Sequence, residues 1–523
     1  MDYLLPAKHS HPTARTQLPN TTLPASPLTA LPEGFGMTIH NRSNPAVRTE
    51  VPRLEDKTIQ PIPLNERHGT ARDLFTIWFG SNIMIMTMVT GGLATTVFGL
   101  GFVPAVVGII LGNAIGAIFM ALHAAQGPQL GVAQMIQTRG QFGSYGALLI
   151  VVLVVVMYLG FFAANLVFGG EALAAVSPGI SDDAGIIVIG VVSVVATIFG
   201  YRIIHAYARF LSIVAGLALV LAFIWILFVH GLPATFLSEG NFTWAGFMGT
   251  VSVAALWQLA YAPYVSDYSR YLPQGTGSTP AFWASYSGCV LGSLFPMILG
   301  ALVGTLAVTM GVDAATVQIP GSMGALLQPW TMVIMGIFCL GVAAQNSINL
   351  YCGVLCSLTI GQTFKPSWLP RAKTRSVAAI LLFTVALMVS LFARDNFILF
   401  YTNFLSFLMY VLVPWTAINL VDYYLLRHGD YKVEDFFKRD GGVYKRFNWV
   451  AIGAYLAGAL IQVPFSATAV YTGPVAAAMG GVDISWIVGL GVVSPLYYVA
   501  ARVFRKKPVT SSLEALSLES DMV

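Results

Sequence analysis

The sequence predicts an all-α integral membrane protein with twelve transmembrane helices. Three observations carry this expectation. Of 523 residues, 56% are hydrophobic and only 10% are charged, where soluble proteins carry roughly 25% charged residues. Apolar stretches long enough to cross the hydrocarbon, which takes about 20 residues, recur along the whole chain. Lys and Arg fall almost entirely on alternate connecting segments, as the positive-inside rule demands. There is too little polar side chain to cover a water-soluble surface, which excludes a soluble enzyme, a disordered chain and a nucleic-acid binder. The 51 Gly and 27 Pro are spread through apolar runs, a pattern membrane helices tolerate better than soluble ones.

The elements follow in order. Residues 1–70 are polar, Pro-rich and without apolar periodicity, and read as a disordered cytoplasmic tail. Met1–Asn20 has no apolar core of the kind a cleaved secretory signal needs. Met37 follows Glu33-Gly34-Phe35-Gly36, whose codons can encode a purine-rich ribosome-binding sequence, so translation from Met37 is one expectation for the start. The expected spans are 73–98, 102–123, 144–170, 184–200, 210–230, 246–265, 280–309, 329–360, 376–393, 396–420, 448–470 and 484–503. Between them, 421–447 reads as a solvated cytoplasmic loop with some contact to anionic headgroups, and 505–523 as a cytoplasmic tail. With both termini in the cytoplasm, 26 of the 27 Lys and Arg lie inside and only Arg394 lies outside. The expected location is therefore an inner (plasma) membrane, multi-pass, with the lipid bilayer as an obligatory partner. A monomer is the expectation for oligomeric state.

The four cysteines, Cys289, Cys339, Cys352 and Cys356, lie in apolar stretches and read as small core residues. No cysteine or histidine spacing makes a metal site. Nucleophile–base pairs, paired carboxylates and His-rich helices are absent from the spans, so the chain does not read as an enzyme and no catalytic residue or resident cofactor is expected. A channel would need a continuous polar lining.

Polar residues inside the spans are instead gathered at one depth. Tyr158, Phe161 and Asn165 share a face of the third span. Trp257 and Gln258 precede Tyr261 and Pro263 in the sixth. Gln345, Asn346 and Asn349 crowd the eighth. Pro263 should break or kink its helix, and Gly80-Ser81-Asn82 should interrupt the first span. Breaks five spans apart point to two inverted repeats, 71–230 and 246–420, with 448–504 added at the end. Carboxamides offer donor and acceptor in one plane, and aromatic faces stack flat rings. A neutral planar heterocycle, such as a nucleobase or hydantoin, is the ligand such a site wants. Glu171 and His123 lie near span ends and read as structural.

Several of these segments resemble the nucleobase:cation symporter-1 family, in its purine–cytosine permease branch. They are Pro61-Ile62-Pro63 through Arg67, Thr90-Gly91-Gly92, Arg139 with Phe142-Gly143, Ser266-Asp267-Tyr268-Ser269-Arg270-Tyr271 and Val421-Asp422-Tyr423-Tyr424. The resemblance covers about residues 60–505. It implies a five-plus-five inverted-repeat core like that of amino-acid:sodium symporters, two peripheral C-terminal helices, and uptake of a nucleobase with a cation. By position it places Phe161 at a stacking site often occupied by Trp. It assigns Asn165, Trp257, Gln258, Gln345, Asn346 and Asn349 to substrate contact and sets Met84 beside the substrate. Sodium-coupled relatives use carbonyls of the first span, here Gly80 and Ile83, with hydroxyls of the eighth. The matching positions here are Ala344 and Gln345, which carry no hydroxyl, so co-transport of H+ is expected and Na+ is the alternative. Cytosine or a purine is the expected cargo. Allantoin, hydantoin, uracil, thiamine and nucleosides are the alternatives.

Overall fold

The computed structural model describes residues 59–177, 179–199, 201–394 and 397–504. The expected tails at 1–58 and 505–523, and Met37, lie outside the described residues. The architecture is all-helical, and the sole β-pairing among the described residues consists of two isolated bridges. In chain order the helices are α1 Ala71–Asn82, α2 Ile85–Thr96, α3 Phe102–Ala124, α4 Gly127–Leu130, α5 Gln134–Phe142, α6 Ala147–Val176, α7 Asp182–Phe199, α8 Tyr201–Ile224, α9 Trp244–Leu259, α10 Val265–Ser269, α11 Ser278–Thr309, α12 Ile319–Leu326, α13 Thr331–Phe364, α14 Ala372–Ala393, α15 Phe397–Leu420, α16 Trp449–Gln462, α17 Pro474–Ala478 and α18 Ser485–Phe504.

Among the described residues, eight helices are long and apolar enough to cross a membrane, and a bent pair, α1 with α2, adds a ninth. The other three expected spans fall on α7, on the interrupted α9–α10 and on α16, where α7, α9 and α16 have 18, 16 and 14 residues. Both expected interruptions are present. α1 and α2 meet at 61°, across Ile83 and Met84, whose backbones leave helical geometry. α9 stops at Leu259, and turns through Ala260–Tyr264 lead into α10.

The core is built where α6 meets α13, α3 meets α9, and α11 meets α1 and α2. Lipid gives apolar side chains no reason to leave it for each other, so such crossings rely on close approach of small residues. Gly91 of α2 lies against the Met297 backbone of α11, and Gly300 of α11 against the Met88 carbonyl.

The charge pattern sorts to the two ends of the bundle. At one end Arg139 of α5 donates to the Phe436 carbonyl at 2.8 Å, the Thr359 carbonyl at 3.0 Å and Thr363 Oγ1 at 2.9 Å. The 421–447 segment, expected as a solvated charged loop, is instead a folded cap on that end. Its Asp422 accepts from Arg427 Nε at 2.8 Å, Tyr431 OH at 2.6 Å and Tyr497 OH at 3.0 Å. The Arg427 guanidinium lies over the rings of the partly buried Tyr431 and the buried Tyr444, and such cation–π contacts are what a merely solvated loop lacks. Residues 59–70, assigned above to the disordered tail, are docked here too. Ile59 and Ile62 are buried, and Arg67 donates to the carbonyls of Ile62 at 3.0 Å and Pro128 at 2.7 Å. The apolar pair supplies the burial that a purely polar tail would lack. At the opposite end stand Glu171, Asp182 and Asp183, with Arg394 paired to Asp183.

Candidate functional site

The two breaks face each other, and Asn82 joins them. It is the last residue of α1, and its side chain cannot satisfy both amide groups within the helix. Its Nδ2 donates to the Trp78 carbonyl at 2.6 Å. Its Oδ1 accepts from Trp257 Nε1 at 2.8 Å, Tyr261 OH at 2.7 Å and Ser293 Oγ at 2.9 Å. A buried acceptor with three donors fixes three helices at one point. At the break itself, the Asn82 carbonyl accepts from Thr87 Oγ1 at 2.6 Å. Gly341 of α13 approaches the Ile83 carbonyl so closely that a Cβ would stand 2.5 Å from it.

Between the breaks and α6 and α13 lies a small cavity of about 10 Å³, lined by Met86, Phe161, Trp257, Ala260, Tyr261, Tyr264, Gln345 and Asn349. That is room for about one water. The walls are aromatic on one side: Phe161 meets Trp257 edge-on at 6.3 Å and Phe404 at 5.2 Å. Trp78 supports them from behind, edge-on to Tyr261, Tyr264 and Tyr268. The other wall is carboxamide. Gln345 Nε2 donates to Tyr264 OH and to Asn349 Oδ1, both at 3.3 Å. Gln345 Oε1 and Asn349 Nδ2 are buried without a partner. An unsatisfied buried polar atom costs about 1–3 kcal/mol, so this pair is set up to be satisfied by something that enters. A purine or pyrimidine is larger than the cavity, so entry requires the aromatic wall or the helices to move.

Four of the expected contact residues line the cavity: Phe161, Trp257, Gln345 and Asn349. Four do not. Gln258 turns away, its Nε2 donating to Asn113 Oδ1 at 2.6 Å, Ser293 Oγ at 3.1 Å and the Cys289 carbonyl at 3.3 Å. Asn346 Nδ2 donates to the Phe162 carbonyl at 3.3 Å and its Oδ1 has no partner. Asn165 is fully buried with neither amide atom paired. Met84 is buried at the break, and Met86, two residues on, takes the lining position. Gly80 is buried within α1. Of the residues that sequence reasoning left out of the site, Tyr261 and Tyr264 carried the signal of flanking Pro263, and Asn82 that of ending a broken span.

A passage toward the acidic end is closed above this cavity. Thr90 Oγ1 and Tyr401 OH hydrogen-bond at 2.8 Å between α2 and α15, and Phe168 packs edge-on against Tyr401 and Phe397. Beyond them open two larger cavities, of about 530 and 680 Å³, which share Glu171, Gln318 and Arg394. They are far larger, but the groups suited to a flat ring are in the small cavity. At the opposite end His123 is sealed, stacked at 4.8 Å on Trp415 with Nδ1 donating to the Phe119 carbonyl at 2.8 Å. No cluster of three or more metal-ligating side chains occurs among the described residues.

A family model described as "Permease for cytosine/purines, uracil, thiamine, allantoin" matches residues 61–489. The chain is 41% identical over 456 residues to the putative purine-cytosine permease YxlA of Bacillus subtilis, covering 87% of this chain and 97% of that one. It is 25% identical to the purine-cytosine permease fcyB of Emericella nidulans, covering 87% and 89%. Among solved structures it is similar to Mhp1, a nucleobase-cation-symport-1 family transporter, in a closed conformation with bromovinylhydantoin bound. That match has a TM-score of 0.67 at 19% identity and covers 88% of this chain and 98% of the other.

Proposed function

The chain belongs to the nucleobase:cation symporter-1 family of cytosine and purine permeases, and from that premise we propose that it imports a nucleobase, cytosine or a purine, by cation symport. The observation that carries the reading is the cavity wall itself, where Gln345 and Asn349, each with an unpaired carboxamide atom, line the same cavity as Phe161 and Trp257. A flat heterocycle would satisfy the amides at its edge and the rings at its face. Twelve spans in a five-plus-five inverted repeat, with α16 and α18 outside it, fit the two facing breaks. Both termini lie in the cytoplasm in this reading, since the basic loops gather at one end.

The coupling ion is H+ in this proposal. A sodium ion bound by the Gly80 and Ile83 carbonyls would need hydroxyl oxygens from α13. Ala344 has none, and the Gln345 side chain is directed to Tyr264 and Asn349. The test is uptake of labelled cytosine and adenine with and without sodium, and with a protonophore. Proton coupling requires uptake that is unchanged without sodium and abolished by the protonophore; strict sodium dependence overturns it. A competition panel of allantoin, hydantoin, uracil, thiamine and nucleosides in the same assay sets the cargo.

A further inference from the structure

We infer that Glu171 is the residue that binds the coupling proton from the acidic end. This inference rests on the proton-symport reading above. The carboxylates on the described candidate spans are few: Asp73, Glu171 and Asp422. Asp73 caps α1, accepting from the Thr70 backbone N–H at 2.8 Å and from Thr70 Oγ1 at 3.0 Å. Asp422 is held by Arg427, Tyr431 and Tyr497 in the cap at the other end. Asp267, buried on α10, accepts from the Gln134 N–H at 2.8 Å. Glu171 has no such structural partner among the described residues, and it lines both large cavities.

Its place on α6 connects it to the substrate cavity. Phe161 is ten residues further in, roughly 15 Å at the helical rise. Between them Phe168 belongs to the closed plug, and Asn165 has both carboxamide atoms buried and unpaired. Among the described residues, the titratable groups near Glu171 on the elements around it are Asp182 and Asp183 of α7, Arg394 after α14, Tyr401 of α15, Cys339 of α13 and Asp313 beside the 314–316 turn. α2 and α12 bring none. The one cation among these described groups, Arg394, is paired to Asp183. Closing the two cavities over an ionised Glu171 would bury a carboxylate beside Asp182 without a counter-ion, which is strongly unfavourable. Protonation removes the charge and lets the acidic end close. The proton thus enters from the acidic-end solution, rides on the Glu171 carboxyl during closure, and is given up to water admitted through the emptied cavity once the basic end opens.

The test uses the full chain in proteoliposomes with labelled cytosine and adenine, comparing the parent with Glu171→Gln and Glu171→Asp. Exchange at zero gradient and accumulation under an imposed pH gradient are measured across pH. One-proton coupling permits about ten-fold accumulation per pH unit in the parent. Glu171→Gln is expected to keep exchange while accumulation falls to simple equilibration and the pH dependence flattens. Glu171→Asp is expected to restore accumulation with a displaced pH profile. If the parent is proton-driven and Glu171→Gln accumulates as well as it does, the inference alone fails. It also fails alone if both variants lose exchange, which marks a structural role. If the parent shows no pH-driven accumulation, the coupling reading fails and takes this inference with it.

Discussion

The indole N–H of Trp257 donates to the side-chain oxygen of Asn82 across 2.8 Å, tying the end of α9 to the end of α1. The two broken helices are therefore joined by side chains at their breaks, and Tyr261 and Ser293 add two more donors to the same oxygen. The cavity takes its shape from this joint, because Trp257 and Tyr261 are two of its walls.

Asn82→Ala removes the acceptor and strands buried donors. Each stranded donor costs about 1–3 kcal/mol, although Trp257 keeps a second acceptor in Ser293 Oγ at 3.1 Å. A clear fall in thermal stability in detergent is expected, together with weaker substrate binding. A variant that melts like the parent and binds like it would show that the joint does not set the cavity.

Gln345→Ala and Asn349→Ala should act on binding, and Gln258→Ala on stability. The first two remove cavity-lining residues that each carry an unpaired amide atom; a lost neutral hydrogen bond of about 0.5–1.5 kcal/mol raises Kd roughly 2- to 12-fold. Gln258 Nε2 instead serves Asn113, Ser293 and Cys289. Binding titrations and melting curves on the three variants separate the two classes. Asn346→Ala, which cuts the bond to the Phe162 carbonyl, should fall with Gln258→Ala in the class that lowers stability.

Phe161→Ala takes away a ring that meets both Trp257 and Phe404. Stacking on an aromatic is worth about 1–3 kcal/mol per base in nucleic-acid systems, and a loss of that size in ligand affinity is expected. Phe161→Trp should keep transport and change the order of preference among heterocycles in a competition panel.

Much of this was legible from residue types whose backbone effects are local. Gly80 and Pro263 announce the interruptions of two helices without any tertiary information, because a missing side chain and a missing N–H act within one turn. The aim of individual side chains was not legible in the same way. Trp257 and Gln258 are neighbours, and successive residues of an α-helix point about 100° apart. Which of the two faces the cavity depends on α3, whose Asn113 draws Gln258 to itself. The same limit applies to Met84 and Met86 on either side of the turn into α2. Composition also misled at the basic end. The many charges of 421–447 and the prolines of 59–70 hide the buried Tyr444, Ile59 and Ile62 and the Tyr431 ring packed against Tyr444, which fold those segments onto the bundle.

Arg139→Lys should be nearly as damaging as Arg139→Gln. Burial pushes the Arg139 guanidinium down to about 10, so it remains charged at neutral pH while donating to Phe436, Thr359 and Thr363. A lysine ammonium is a point charge and cannot span the fork that reaches α13 and the 421–447 cap together. Proteolysis of the 421–447 segment should accelerate in both variants. Equal protection in parent and lysine variant would mean that charge, not fork geometry, holds the cap.

The Thr90–Tyr401 contact is the place to test how the acidic end opens. It is a neutral hydrogen bond between α2 and α15, directly between the 10 Å³ cavity and the roughly 530 Å³ one. Tyr401→Phe keeps the ring that packs on Phe168 and Phe397 and removes the hydroxyl alone. A bond of this kind contributes about 0.5–1.5 kcal/mol, which amounts to a roughly 2- to 12-fold shift of an open–closed equilibrium toward the open form. A cysteine placed at Met86, on the wall of the small cavity behind the contact, should then react faster with a membrane-impermeant thiol reagent in the Tyr401→Phe background. Substrate should slow that reaction in the parent, because a closed site and a bound ring reinforce each other. If labelling rates are equal in the two backgrounds, the hydroxyl does not hold this end shut, and the closure must reside in the packing of Phe168 and Phe397.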